Sequence, residues 1–208
     1  MWLARRPALL RKVLSLGDAG YLADVGWSRS VVEQRPVDAQ GCPIPWVTLP
    51  FIDFITERLR SSFKLLEFGS GASTFYYSAR VLQVDSIEHD AGWHAQLTAD
   101  MPTNARVALV PLDYDGAYAR AGGTWGERYD LVIVDGRDRV NCLRQAVQCI
   151  TDGGCLVLDD SEREGYRSGC DALAEQGFKR LNFWGIAPGL TYKKCTTVFY
   201  KDGNCLGI

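Results

Sequence analysis

The segment spanning residues 64–88 constrains the fold of this chain more strongly than any other. An apolar run ends in a turn that contains Gly69, Ser70 and Gly71, and a second apolar run ends in an acid, Glu88. Short apolar runs closed by glycine are typical of buried parallel strands. Glycine also lets the backbone turn tightly and leaves its N–H groups open to a ligand. The segment therefore predicts two neighbouring strands with a ligand-binding turn after the first.

Glu88 has a predictable role in such an arrangement, because the ends of adjacent parallel strands line the crevice where ligands bind. A carboxylate there can accept hydrogen bonds from both hydroxyls of a ribose, at roughly 1.5–3 kcal/mol each. Two cofactor classes fit, the nicotinamide dinucleotides and S-adenosylmethionine. Thr74 stands where dinucleotide-binding turns carry their third glycine, and the acid Glu67 precedes the turn. A pyrophosphate disfavours that acid, whereas the cationic groups of S-adenosylmethionine favour it.

Four motifs of this chain occur in the order found in a known family. They cover residues 66–74, 86–90, 129–136 and 152–160. With them, the chain resembles the class I S-adenosylmethionine-dependent methyltransferases. The resemblance implies an α/β fold with a Rossmann-like, seven-stranded, mostly parallel sheet, helices on both faces and an antiparallel last strand. The ending also resembles small bacterial methyltransferases associated with sugar or polysaccharide pathways, through residues 195–200 and 204–208.

The hydrophobic pattern predicts alternating strands and helices from residue 50 onward. We expect strands at residues 64–68, 83–88, 105–110, 129–135 and 153–159, and two late strands within 178–184 and 196–200. We expect helices at residues 50–61, 73–81, 91–100, 139–150 and 162–175. No helix separates the two late strands, which indicates an antiparallel pair that closes the sheet. The long connection 113–128 leaves the third strand at the ligand edge, so Asp113 and Tyr114 are expected to reach an adenine.

The pattern divides the chain into a helical and extended leader, residues 1–50, packed on a cofactor-binding domain, residues 51–208. Residues 1–17 of the leader mix basic and apolar side chains and contain no acid, which predicts a basic amphipathic helix. Such a helix can pack on the domain with a solvated basic face, or it can contact a membrane surface. A cleaved targeting segment is the third alternative, which the lack of a small-residue cleavage site disfavours.

Composition limits the partners and the compartment. The chain has 25 acidic and 23 basic side chains, so its formal charge of -2 gives no reason to expect nucleic acid as a partner. The 7 cysteines are scattered and form no C-x-x-C pair, which favours a reducing, cytoplasmic location. No apolar stretch approaches the length of a membrane span. We expect a small-molecule or saccharide acceptor; the oligomeric state is left open.

Three acids are candidates for the chemistry. Asp135 ends the fourth predicted strand, and Asp159 and Asp160 end the fifth, so all three should meet at the ligand edge of the sheet. Converging carboxylates repel one another, and they either raise a pKa or bind a hard divalent cation. This arrangement is similar to that of metal-dependent O-methyltransferases of the catechol and caffeoyl-CoA types. The similarity implies a Mg or Mn ion that holds the acceptor and lowers the pKa of its hydroxyl.

The segment after Asp135 departs from that pattern, because it carries Arg137 and Arg139. These arginines could pair with the acids and turn the cluster into a structural ion network, or they could hold an anionic acceptor such as a uronate or phosphate. His89 and His94 are the only histidines. Either could act as a base, and His89 is also expected to contact the adenosine.

Together these features predict an S-adenosylmethionine-dependent methyltransferase that acts on an oxygen of a sugar-like or small hydroxylated acceptor. The alternatives are an NAD-dependent oxidoreductase and a non-catalytic domain that binds a nucleoside and docks a partner. Asp135, Asp159 and Asp160 are the predicted catalytic residues and metal ligands. The predicted cofactor-binding residues are Glu67, Gly69, Ser70, Gly71, Ser73, Thr74, Glu88, His89, Asp113, Tyr114 and Asp135.

Overall fold

A seven-stranded sheet forms the centre of the molecule in the computed structural model, which describes residues 6–208. The strands are β1 (Lys64–Phe68), β2 (Gln83–Glu88), β3 (Ala105–Leu109), β4 (Tyr129–Val134), β5 (Ile150–Asp159), β6 (Lys179–Gly185) and β7 (Lys194–Tyr200). Their order across the sheet is β3-β2-β1-β4-β5-β7-β6. The first five strands pair in parallel, and β7 runs antiparallel to both β5 and β6. This topology confirms the predicted mostly parallel sheet with an antiparallel last strand.

The helices cover both faces of this sheet. They are α1 (Pro7–Ser15), α2 (Tyr21–Asp24), α3 (Trp27–Glu33), α4 (Leu49–Thr56), α5 (Ala72–Ser78), α6 (Ala91–Thr98), α7 (Ala117–Arg120), α8 (Arg139–Ala146) and α9 (Arg167–Glu175). Because successive strand residues point to opposite faces, Leu65 packs with α4 and α5 on one side, whereas Leu66 packs with α8 and α9 on the other. Strands β1 and β4 at the centre of the sheet are buried on both faces, which explains their nearly continuous apolar runs, whereas the outer strands β3 and β6 are partly exposed.

Several element boundaries differ from those predicted. Helix α4 ends at Thr56 instead of residue 61, because the N–H groups of Arg58 and Leu59 both turn back to the carbonyl of Ile55. Strand β5 begins at Ile150, three residues before the predicted start. Ile150 pairs with Tyr129 of β4, and Cys155 pairs with Leu131. The register shifts between these two pairs, so the residues between them leave the regular pairing without ending the strand.

The long connection 113–128 is partly helical. It contains α7 and a 3₁₀ turn at Ala121–Trp125. The Asp113 carboxylate caps the start of α7, because it accepts hydrogen bonds from the N–H groups of Ala117 and Tyr118 at 2.8 and 2.9 Å. These backbone bonds lower the pKa of Asp113, as is usual for a carboxylate at the start of a helix.

The leader contributes both exposed and buried segments. Helix α1 has no buried residue, and the part of the predicted basic helix formed by residues 1–5 lies outside the described residues. Further along, Trp27 donates its indole N–H to the carbonyl of Leu190 at 2.7 Å, and Thr48 bonds to Thr196 at 3.1 Å. The division of the chain at residue 50 and the contact of the first helix with a membrane stay predictions. Of the helices within residues 6–208, none combines the length and apolar character that a membrane span needs.

Candidate functional site

A cavity of about 630 Å³ opens at the carboxyl ends of β1, β2, β4 and β5. This is the edge where open parallel sheets bind ligands, and the volume is in the range of small-molecule sites. Its lining comprises Trp46, Gly69, Ser70, Glu88, His89, Asp90, Trp93, Asp135, Gly136, Arg137, Arg139, Asp159, Asp160, Arg163, Leu190, Tyr192 and Lys194. A second cavity of about 530 Å³ lies beside it and shares Trp46, Ser70, Trp93 and Asp135 with it.

The glycine turn after β1 forms one wall of the cavity. Gly69 has a φ of +92°, which disfavours any side chain, and its N–H donates to the carbonyl of Ile87 at 2.9 Å. The turn lies directly against the loop after β4: a Cβ atom added to Gly136 would approach the Gly69 nitrogen to 2.8 Å and the Phe68 carbonyl carbon to 2.9 Å. Two backbone segments therefore meet here at a distance that only glycine permits.

We expect Gly136→Ala to lower the free energy of unfolding by about 1–3 kcal/mol, because the new methyl group would force backbone atoms apart. Gly165→Ala is the matched control, since a Cβ atom at Gly165 would meet nothing within 4 Å. Urea unfolding of both variants measures the difference. Equal stability of the two variants would contradict the close approach of the two loops.

Glu88 ties together the loops at this end of the cavity. One of its carboxylate oxygens accepts hydrogen bonds from the Ser70 N–H and hydroxyl, at 3.2 and 2.8 Å. The other accepts from the N–H groups of His89 and Asp90, at 2.8 and 2.9 Å. The side chain is almost entirely buried, yet it still lines the cavity. Glu88 is thus fixed in one orientation at the end of β2.

Aromatic side chains stand beside this acid. Trp93 is nearly half exposed, and its indole N–H donates to the Ser70 carbonyl at 2.8 Å, which holds the ring next to the glycine turn. The His89 Nδ1 atom lies 2.9 Å from Glu88, and the imidazole lines the cavity. His94 does not line it; its Nε2 atom bonds to the carbonyl of Val107 at 3.1 Å. Of the two histidines, His89 alone is positioned to meet a ligand in the cavity.

Glu67 lies beneath the glycine turn and does not line the cavity. Its carboxylate accepts hydrogen bonds from the hydroxyls of Ser73 at 2.9 Å, Ser86 at 2.6 Å and Thr74. The side chain is buried, and this burial raises its pKa to about 7 in spite of the three hydroxyl donors. Glu67 and Thr74 therefore have a supporting position under the turn, whereas Ser73 also lines the second cavity.

Asp113 and Tyr114 also lie away from the lining of the cavity. The carboxylate of Asp113 is occupied by the first turn of α7, and Tyr114 is exposed. Their contact with an adenine stays a prediction.

The opposite end of the cavity contains an ion cluster. We use this name for Asp135, Asp159, Asp160, Arg139, Arg163 and Lys194. The Lys194 Nζ atom lies 2.5 Å from Asp159 and 2.7 Å from Asp160. An arginine, Arg139, reaches Asp135 at 3.0 Å and Asp160 at 3.4 Å, so the three predicted acids do converge as expected.

Burial controls the charge states in this cluster. It raises the pKa of Asp135 well above the usual range, and the nearby Asp159 carboxylate adds to the shift. Burial also raises the pKa of Asp159, although Lys194 opposes that shift. For Lys194, burial alone would lower the pKa, but the Asp159 and Asp160 carboxylates together outweigh it and the pKa is raised. The lysine therefore carries a positive charge at neutral pH.

The ion cluster does not fit the Mg or Mn ion that the resemblance implied. A divalent cation needs carboxylate oxygens turned toward an open position, whereas here protein cations lie against those oxygens. Consistently, no group of three or more His, Cys, Asp or Glu side chains within residues 6–208 is arranged to hold a metal. The expectation of a metal therefore finds no support. The alternative of an ion network that includes Arg139 agrees with the geometry.

The sequence pattern missed several cavity residues, and the most consequential of them is Lys194. It begins β7, and an antiparallel strand places its first residues beside the carboxyl end of its neighbour: Thr196 pairs with Asp159. That register was the only signal that could have located the lysine. Trp46 and Tyr192 come from irregular segments whose position no periodicity predicts.

Comparisons with known proteins agree with this architecture. No family model and no curated protein matches the chain. Among solved structures, the O-methyltransferase TomG from Streptomyces achromogenes, in complex with S-adenosylmethionine, matches with a TM-score of 0.59 at 15% identity over 94% of this chain and 96% of TomG. Precorrin-6y C5,15-methyltransferase from Geobacter metallireducens matches with a TM-score of 0.58 at 10% identity, over 74% and 88% of the two chains.

A third match shows that structural similarity at this level does not define the reaction. The precorrin 8W decarboxylase from Methanobacterium thermoautotrophicum has a TM-score of 0.54 at 15% identity, over 81% of this chain and 97% of the other. At these identities the comparisons establish the fold, which is that of the class I S-adenosylmethionine-dependent methyltransferases. The same fold carries a decarboxylase name, so the reaction must be argued from the site.

Proposed function

We propose that this chain is an S-adenosylmethionine-dependent methyltransferase. The observation that carries the proposal is the placement of Glu88, whose fixed carboxylate ends β2 beside the glycine turn and faces the cavity. A carboxylate at this position suits the two hydroxyls of a ribose. TomG, which shares the fold along nearly the whole chain, was solved with S-adenosylmethionine. Gly69, Ser70, Gly71 and His89 would complete the contacts of the nucleoside.

We further propose that the acceptor atom is an oxygen of a sugar-like or small hydroxylated molecule. The acceptor oxygen attacks the methyl carbon as the carbon–sulfur bond breaks, and the electron pair of that bond stays on sulfur to give S-adenosylhomocysteine. The hydroxyl proton must leave, and the carboxylates of Asp159 and Asp160 lie at the cavity to receive it. Asp135, at the end of β4, faces both cavities and stands between the cofactor and the acceptor in this proposal.

Exposed aromatic rings support a sugar-like acceptor. Trp46 and Tyr192 line the cavity and are each about half exposed. The indole N–H of Trp46 is committed to the Pro188 carbonyl at 2.9 Å, so its ring face is the part left for a ligand. Flat rings next to hydrogen-bonding acids suit a molecule with both apolar C–H and hydroxyl groups.

The two alternative functions predict different ligands or a different outcome of binding. An NAD-dependent oxidoreductase would bind a dinucleotide, which Thr74 at the third glycine position disfavours. A docking domain would bind the nucleoside and turn nothing over, although the acids at the strand ends favour chemistry. We also infer a cytoplasmic protein, because all 7 cysteines are free thiols.

Calorimetric titration with S-adenosylmethionine, S-adenosylhomocysteine and NAD tests the proposal. We expect saturable binding of the first two and none of NAD. Binding of NAD, or no binding of either adenosyl compound, would contradict the assignment. Binding without methyl transfer to any member of a broad panel of hydroxylated acceptors would favour the docking domain.

A further inference from the structure

Lys194 lies against Asp159 and Asp160, the two acids at the end of β5 that the resemblance assigned to a metal ion. We propose that its ammonium group replaces the divalent cation and binds the acceptor oxygen directly, so that methyl transfer in this protein needs no metal. The proposal rests on the proposed function, since it names the group that meets the acceptor in that same site.

The contacts of Lys194 hold its side chain in a fixed, buried position. Its side chain is only 5% exposed, and its Nζ atom lies within 2.7 Å of one oxygen on each of Asp159 and Asp160. The Asp159 carboxylate is itself fixed, because the Thr196 hydroxyl donates to its other oxygen at 2.7 Å. A buried lysine held in this way has little freedom to leave the cluster.

Lys194 also has one N–H donor that the two aspartates do not use. An ammonium group has three N–H donors; one donates to Asp159, and a second is close enough to pair with Asp160, whose Oδ1 atom lies 2.7 Å from Nζ. Since Lys194 lines the cavity, the third is available to an oxygen bound there. A cation at that point attracts the acceptor oxygen and stabilises the negative charge that develops on it when its proton leaves.

The two arginines of the ion cluster are less suited to this task. Arg139 uses its guanidinium to tie the strand ends together, with bonds to the carbonyls of Asp135 at 2.8 Å, Gly136 at 3.0 Å and Asp159 at 2.6 Å. Arg163 pairs with Asp160 at 2.6 Å, but more than half of its side chain is exposed. Lys194 is the cation of this cluster that combines burial, a place in the lining and a free donor.

In the reaction that follows, the acceptor hydroxyl donates its proton to Asp159 or Asp160 while Lys194 holds the oxygen. The oxygen then forms its bond to the methyl carbon, the carbon–sulfur bond breaks, and S-adenosylhomocysteine leaves. The aspartate returns the proton to water. No co-reactant beyond S-adenosylmethionine and the acceptor is required.

The test uses Mn²⁺ alone as the probe, so that it does not depend on knowing the acceptor. Free Mn²⁺ is measured by electron paramagnetic resonance while it is titrated into the wild-type chain, Lys194→Ala and Lys193→Ala. Lys193 is the matched control, because it is exposed and its ammonium group lies 4.4 Å from the ring centre of Trp184. We expect one Mn²⁺ to bind to Lys194→Ala, where Asp159 and Asp160 lose their buried cation, and none to bind to the other two chains.

Stoichiometric Mn²⁺ uptake by the wild-type chain that is lost in Asp159→Asn would overturn the proposal. Failure of a folded Lys194→Ala to bind Mn²⁺ would also overturn it, since the lysine would then not stand in a metal site. If Lys194→Ala does not fold, Lys194→Gln takes its place with the same expected Mn²⁺ uptake, because its amide fills the space of the lysine but carries no positive charge.

Titration of the same samples with S-adenosylhomocysteine separates this proposal from the proposed function. We expect the wild-type chain and Lys194→Ala to bind it equally, because Glu88 and the glycine turn are unchanged. Loss of binding in the wild type would reject the methyltransferase assignment whatever the Mn²⁺ result. Retained binding of S-adenosylhomocysteine together with Mn²⁺ uptake by the wild type would reject the role of Lys194 but would leave the methyltransferase assignment in place.

Discussion

Glu88→Ala is expected to weaken the binding of S-adenosylmethionine by a factor of about 10² to 10⁴. The estimate corresponds to two hydrogen bonds from ribose hydroxyls to a charged acceptor, at roughly 1.5–3 kcal/mol each. The same carboxylate also holds the Ser70 N–H and those of His89 and Asp90, so its loss loosens the loops that surround the ligand. Both effects lower the affinity for S-adenosylmethionine.

Calorimetry with S-adenosylhomocysteine measures this loss, and circular dichroism checks that the variant is folded. Glu57→Ala is the charge-matched control, because Glu57 is 79% exposed and its recorded ion pair is with the adjacent Arg58. We expect the affinity of that control to equal that of the wild type. Unaltered affinity in a folded Glu88→Ala would refute the placement of the ribose.

The sheet could be predicted because its sequence signals are local. Strands β1 and β4 are short apolar runs closed by a polar or glycine residue, and burial on both faces makes those runs nearly continuous. Strand boundaries were less predictable. The β5 strand begins three residues before the predicted start, because Ile150 already pairs with Tyr129 of β4 ahead of the irregular part of that pairing.

The position of the ligand edge follows from strand order, whereas the direction of each side chain follows from its alternation along the strand. Glu67 was expected to meet the cofactor, yet it shares a face with Leu65, two residues before it, and that face packs against α5. Alternation along β1 therefore contained the signal for its burial under the turn. Glu88 differs because it is the last residue of its strand, where the chain opens into the cavity.

The ion cluster shows what local patterns leave out. Asp135, Asp159 and Asp160 were found from their places at strand ends, and the acids alone suggested a metal. The cation that matters, Lys194, is 35 residues beyond Asp159 and reaches it only because β7 pairs antiparallel with β5. The charge of a site is a sum over all the elements that meet there, so one set of acids cannot define it.

Glu67 leads to the second large expected effect, which is on stability. Burial raises the pKa of this carboxyl from an ordinary 4.5 to about 7 in the folded chain. Between these two values the folded state binds more protons than the unfolded state, so the free energy of unfolding falls as the pH rises. The stabilising contribution is complete below about pH 4.5 and is lost as the pH rises through about 7, a change of about 3 kcal/mol.

Glu67→Gln removes this titration but keeps the shape of the side chain and its ability to bond with the three hydroxyls. We expect the variant to match the wild type near about pH 5 and to exceed it by about 3 kcal/mol near about pH 8. Urea unfolding across that range measures the difference. Asp135 and Asp159 titrate in both proteins, so their effect cancels when the two curves are subtracted. A difference that stays constant with pH would show that Glu67 is already charged in the folded protein at pH 5, and that its hydroxyl partners outweigh its burial.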